Sequence, residues 1–290
     1  MAAKTLIQKA GQLELLSLNQ FPKTPRPGLE TPLPTWAPDW RSQLAMPYCN
    51  TRGYFSASQH SSLGFVDTSS DHVLGLQGIV VCTIAKVGEK WIQKQDANFT
   101  LVYLSTIDEF CKESAALGRG VHPRDARSSQ VEREEAVWRI PIGDLYYGIG
   151  SYTEHRTAKC GRTMEELHAE YARFLQMTRD IVNMRPEESS CDEFAALEHA
   201  RANNCMPYML ATAKMRRRRA FLIEAGYVGM GPGLMTVGDA VVIFAGAEIP
   251  HILRRTSDKH WEYVGEAYCD GIMDGEAWVG NKELESFYLV

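Results

Sequence analysis

The chain has 290 residues, 44% of them hydrophobic and 23% charged, with a formal net charge of −5. Folding at that length buries about three-quarters of the unfolded surface, which implies a globular protein with a real core and excludes a disordered or fibrous one. The weak negative charge argues against a nucleic-acid partner, and no stretch approaches the roughly 18 apolar residues of a membrane span.

Residues 3–19 carry Leu6, Ile7, Leu13, Leu15, Leu16 and Leu18 at mixed spacing, which predicts a short helix followed by an extended apolar exit. Prolines at 22, 25, 27, 32, 34 and 38 then rule out helix or central strand, so this segment must wrap over something else, pinned by Trp36 and Trp40. From 63 to 93, β-branched runs broken by serine, aspartate and glycine predict two or three antiparallel strands. Helices follow over 99–117 and 163–184, the second with Leu167, Tyr171, Phe174, Leu175, Thr178, Ile181 and Val182 at helical spacing. Between them 118–136 is polar and charged, a mobile surface loop. The stretch 216–290 holds four short apolar runs punctuated by turns, a β-meander. The sum is one α+β domain, a small antiparallel β-barrel or meander packed with several α-helices: a helix and wrapping segment at 1–62, strands at 63–93, a mainly helical 94–215 and the meander at 216–290.

The motif that first suggests chemistry is Gly226–Asp239, "GYVGMGPGLMTVGD". A dinucleotide fingerprint needs its glycines between a strand and a helix whose N-terminus holds the pyrophosphate. Here Pro232 removes an amide donor and a strand pattern follows, so the glycines serve a wide turn between strands. Seven cysteines, at 49, 82, 111, 160, 191, 205 and 269, never fall in C-x-x-C spacing; they read as reduced thiols in a cytoplasmic protein. Arg216–Arg219 is a nucleic-acid or nuclear-import motif in some proteins, but four cations entering a strand are more simply a solvated helix end. Glu165 and His168 make half of a di-iron motif with no second half. Asp270, Asp274 and Glu276 offer three carboxylates that suit magnesium, although turn and capping roles explain them as well. His155, Asp144 and Glu276 are dispersed acid and base groups compatible with a hydrolase or isomerase.

The segments "LPTWAPDW", "VWRIPIGD", "RAFLIEAGYVGMGP", "GDAVVIFAGAEIPHILRR" and "YVGEAYCDGIMDGE" resemble, in order and spacing, the region that follows the HET domain in fungal heterokaryon-incompatibility proteins. The HET domain itself, associated in that family with cell death, lies outside this sequence, so killing is not implied. Asp270 stands where relatives often show histidine in "HGIMxGE", and the family offers no agreed catalytic residues to carry over. Free-standing relatives also occur in fungal natural-product pathways. The functional analogue this resemblance suggests is a norbornene-forming Diels–Alder cyclase of sordaricin-type terpenoid biosynthesis.

Two functions are therefore expected of different classes. The first is a cofactor-free, metal-free cyclase acting on an apolar terpenoid-like substrate by holding diene and dienophile in a near-attack arrangement. Trp36, Trp40, Tyr147, Tyr227, Met230 and Tyr268 would line its pocket, with Arg254 or Tyr48 donating a hydrogen bond to the dienophile's carbonyl. The bland role for Arg254 is an ion pair with a neighbouring strand. The second function is a recognition or regulatory module without catalysis.

Overall fold

The computed structural model describes residues 2–11, 13–23, 33–44, 47, 53–90, 97–116, 135–148, 153–184, 193–278 and 283–290. Its helices are α1 (Ala2–Ala10), α2 (Ala97–Ala116), α3 (Met164–Met184), α4 (Glu193–Ala202) and α5 (Met206–Ala211), with a further helical stretch over 135–139. Its strands are β1 (Phe65–Val66), β2 (Leu74–Lys90), β3 (Leu145–Tyr147), β4 (Glu154–Arg156), β5 (Arg218–Ile223), β6 (Val228–Pro232), β7 (Ala240–Phe244), β8 (His251–Arg255), β9 (His260–Glu266), β10 (Tyr268–Cys269) and β11 (Glu285–Leu289). The fold is α+β, as the sequence predicts, and nine of these strands share one large sheet that is not a closed barrel over its whole extent.

The packing falls into two compact units. One is Met1–Lys86, Ile223–Ala225 and Leu234–Val290; the other is Val87–Leu222 and Gly226–Gly233. Each is assembled from non-contiguous pieces, so no linker in the sequence marks a boundary.

The first unit is barrel-like. Strand β2 pairs with β11 along Leu74–Gly78 and with β7 along Gly78–Thr83, while β7, β8 and β9 form an antiparallel meander and β11 joins β9 in parallel. Both ends of the series β11-β9-β8-β7 thus return to β2. The two or three antiparallel strands expected over 63–93 are two, the two-residue β1 and one long β2, paired with each other. Gly75 and Gly78 sit inside β2 rather than between strands. A Cβ on Gly75 would lie 2.4 Å from the Val66 carbonyl oxygen, and one on Gly78 would lie 2.5 Å from that of Ile243. These glycines admit a neighbouring backbone, which is the second meaning of glycine in a strand. Gly78→Ala is therefore expected to destabilise by about 1–3 kcal/mol through overpacking, seen as a lower denaturant midpoint at unchanged m-value.

The core of this unit gathers Trp36, Leu74, Leu76, Val242, Phe244, Leu253, Tyr263, Phe287 and Leu289 with Ile7, Leu13 and Leu16. After α1 the chain makes a 3-10 turn over Leu13–Leu18 rather than the extended exit expected. Trp36 pins the proline-rich segment as predicted: it is fully buried, and its indole N–H donates to the His72 carbonyl at 3.2 Å. Thr35 joins the same strap to the sheet, its N–H donating to the Val290 carbonyl at 2.8 Å and its hydroxyl accepting the Tyr263 N–H at 2.8 Å. Trp40, expected to help pin the segment, is 58% exposed.

The second unit holds α2 to α5, the hairpins β3–β4 and β5–β6, and the end of β2. Helix α3 begins with a reciprocal capping box, Thr163 N–H to Glu166 at 2.9 Å and Glu166 N–H to the Thr163 hydroxyl at 3.2 Å. Its predicted apolar stripe is buried at Leu167, Tyr171, Phe174 and Thr178. Tyr208 lies with its ring centroid 5.6 Å from those of Tyr171 and Phe174, and its hydroxyl donates to the Trp138 carbonyl at 2.6 Å. Of the predicted loop 118–136, residues 118–134 lie outside the described residues, and 135 and 136 are helical.

Candidate functional site

The glycine-rich stretch 226–239 is neither a phosphate cradle nor one wide turn. Gly229 and Gly231 lie within β6, where they pair with Phe221 and Arg219 of β5. Positive φ occurs at the flanks, at Gly226 (93°) and Gly238 (89°), so two turns enclose a strand and no helix follows to present its amides.

Arg254 is the most fully engaged of the residues proposed for chemistry. Its Nε and Nη2 donate to the two Asp239 carboxylate oxygens at 2.9 Å each, and Nη2 also reaches the Leu234 carbonyl at 2.9 Å and the Thr236 hydroxyl at 3.1 Å. Asp239 in turn accepts the Thr236 N–H at 2.8 Å, and the Phe21 ring lies 5.4 Å from the guanidinium carbon. This is the ion pair with a neighbouring strand weighed in the sequence, elaborated into a clasp that fixes the β6–β7 turn. Tyr48, the other proposed donor, lies outside the described residues.

The proposed lining residues divide between the units. Trp36, Trp40 and Tyr268 belong to the first, and Tyr147, Tyr227 and Met230 to the second. Tyr268 packs edge-on against Phe55 at 6.3 Å and its hydroxyl donates to Asp270 at 2.5 Å. Tyr147 and Tyr227 are partly exposed, and burial together with the nearby Glu154 pushes the Tyr147 phenol above its ordinary range. Met230 has no accessible surface.

The acidic trio serves its own turn. Glu276 accepts the Asp274 N–H at 2.8 Å, and burial, reinforced by Asp274 and Asp270, raises its carboxyl above the usual range. Among the described residues no group of three His, Cys, Asp or Glu side chains is placed to hold a metal. His168 of the Glu165–His168 pair stacks on Tyr171, with ring centroids 6.4 Å apart. Asp144, of the dispersed acid–base set, accepts bonds from Arg156 and from the Thr157 hydroxyl and N–H. Cys82, Cys111, Cys160, Cys205 and Cys269 are free thiols, while Cys49 and Cys191 lie outside the described residues. No helix among the described residues is long and apolar enough to cross a membrane.

Sequence reasoning missed two buried polar centres. In the second unit Glu170, 4% exposed, receives the Tyr146 hydroxyl and a 2.7 Å bond from Arg162, whose guanidinium lies over the Tyr146 ring. The helical spacing of Glu170 between Leu167 and Phe174 was the available signal. In the first unit His251 is 2% exposed, its Nδ1 3.1 Å from the Tyr263 hydroxyl and its ring 5.1 Å from that of Phe244. A bulge in β9 opposite Ile252 and Leu253 sets Tyr263 and His251 on one face.

Burial lowers the His251 pKa from 6.5 to about 3. The folded chain therefore refuses a proton that the unfolded chain accepts once the pH drops below 6.5. The full stabilisation is present above that pH and is lost progressively toward pH 3, with a slope approaching about 1.4 kcal/mol per pH unit. Denaturant unfolding measured across this window should show that slope, and His251→Gln should flatten it.

The Het-6 beta-barrel domain family matches residues 71–290. The chain is also 31% identical, over 98% of its length, to "Heterokaryon incompatibility protein 6, OR allele" of Neurospora crassa, of which it spans 44%. No solved structure matches. The chain belongs to the Het-6 beta-barrel domain family, consistent with the resemblance read from its motifs and with the barrel-like first unit. Neither match bears on a Diels–Alder cyclase.

Proposed function

We propose that the chain is a recognition or regulatory module of the heterokaryon-incompatibility type, acting without catalysis. The observation that carries this reading is the 31% identity to a heterokaryon-incompatibility protein across 98% of the chain. The geometry supports it, since Arg254, Asp144, Glu170 and Glu276 are all engaged in bonds that hold turns and hairpins. A cyclase needs a hollow apolar interior. Trp36 and Met230 have no accessible surface and Tyr268 has 2%, close packing that favours the recognition reading over a cavity at these three side chains.

The test is an exchange. The matching stretch of the Neurospora crassa protein is replaced by this chain and the strain is paired with tester strains. An incompatibility reaction with an altered range of partners is the expected result. An expressed, folded chimera that behaves like a deletion overturns the reading. Accelerated, stereoselective cyclisation of a diene-bearing precursor by the purified protein would overturn it in favour of the cyclase.

A further inference from the structure

The four consecutive arginines are arranged in a way the sequence did not reveal. Residues 214–219 run from a 3-10 turn (Thr212–Met215) into β5, and the turn between them is tight, with Arg217 at φ 60°. Arg218 points inward at 9% exposure, its Nη1 donating to the Lys214 carbonyl at 3.3 Å, while Arg216 and Arg217 are exposed. Lys214 is neutralised by Glu154 at 2.8 Å. A fifth cation joins from far along the chain. The Gly233 N–H donates to the Arg217 carbonyl at 2.9 Å, and the Lys90 side chain lies directly over Gly233. A Cβ at position 233 would come within 2.7 Å of Lys90 Cε and 2.6 Å of the Arg217 carbonyl oxygen. Only glycine lets the lysine stem lie against that carbonyl. Arg219 anchors the same strand end, its Nε donating to the Gly88 carbonyl at 2.6 Å.

The base of the β5–β6 hairpin thus brings exposed Lys90, Arg216 and Arg217 to one place, backed by Arg219 and the inward Arg218. A left-handed non-glycine residue and a sterically required glycine hold the arrangement. Its sign opposes that of the molecule, whose net charge is −5. A small basic patch on an acidic protein attracts a short acidic segment within a Debye length of about 8 Å, while the rest of the surface repels a long polyanion. Tyr103, close enough to Arg218 and Arg219 to feel their charge, is 1% exposed and offers bases no platform for stacking. Guanidinium forks match carboxylates two bonds at a time.

We propose that Lys90, Arg216 and Arg217 form a docking site for an acidic peptide segment of a protein partner. The assignment rests on the recognition reading above and names one face for it.

The full chain is titrated with a fluorescein-labelled, glutamate-rich peptide and followed by anisotropy, at low salt and at salt well above physiological. Binding that weakens with salt is expected. The double reversal Arg216→Glu with Arg217→Glu should weaken it by about tenfold or more, and Arg255→Glu with Lys259→Glu, two exposed cations of the other unit, should not change it. Circular dichroism checks that the reversed protein is folded. Arg217→Gly, which accepts the left-handed conformation without strain, provides a second variant with one charge fewer and should bind with intermediate affinity. Failure to bind the peptide, or affinity indifferent to the reversal, overturns the proposal. Tighter binding of a single-stranded oligonucleotide through the same arginines also overturns it. If the peptide fails while the chimera still changes the partner range, recognition stands and proceeds through another face.

Discussion

Replacing Trp36 by alanine is expected to cost about 3–5 kcal/mol of unfolding free energy. The indole has no accessible surface and packs among Leu74, Leu76, Val242, Leu253 and Tyr263, so truncation opens a cavity in the centre of the first unit. It also strips the His72 carbonyl of its donor. Domains commonly have only about 5–15 kcal/mol to lose, so the variant should unfold at far lower denaturant concentration or fail to accumulate. Trp40→Ala is the internal comparison: at 58% exposure its loss should shift stability by no more than about 0.5 kcal/mol. Equal effects at the two tryptophans would contradict the burial assigned to Trp36.

Arg254→Leu is expected to cost about 2–4 kcal/mol, because it leaves the Asp239 carboxylate, 3% exposed, facing the protein without its guanidinium. The figure is set below that for a fully buried pair because the Arg254 side chain is 31% exposed. Pairing Arg254→Leu with Asp239→Asn should recover part of the loss, since the abandoned charge is then gone while Thr236 keeps an acceptor. Arg254→Lys should fall between, retaining charge but not the two-pronged geometry. Urea unfolding of the three variants gives the order directly. Equal losses in the single and double variants would mean the charge of Asp239 is not what is being stabilised.

These residues also show where reading from sequence succeeds. Periodicity located α2 and α3 to within two residues at each end, because an amphipathic helix writes its buried face at fixed spacing. The four apolar runs after residue 218 contain β5, β7, β8 and β9 because turn residues bound them closely, whereas β6 formed where a wide turn is expected. Strand β11 went unread: "ESFYL" is short, with little alternation to mark it, although it sits between β2 and β9. The role of Gly75 and Gly78 is illegible in sequence because one letter stands for both a turn and a close approach of backbones. Composition shows that Trp36 and Tyr268 are present but not what they face; both are buried. The basic turn was undervalued for the complementary reason: Lys90 lies far in sequence from Arg217, and only the fold puts it over Gly233.

The placement of β11 has a consequence for how the protein comes into being. Glu285 pairs with Gly78 and Leu289 with Leu74, about two hundred positions apart in the chain. During synthesis the first half of β2 must therefore wait, its edge open, until residues some two hundred positions further along have emerged. Slow maturation and a need for chaperone protection in that interval follow from this one late arrival.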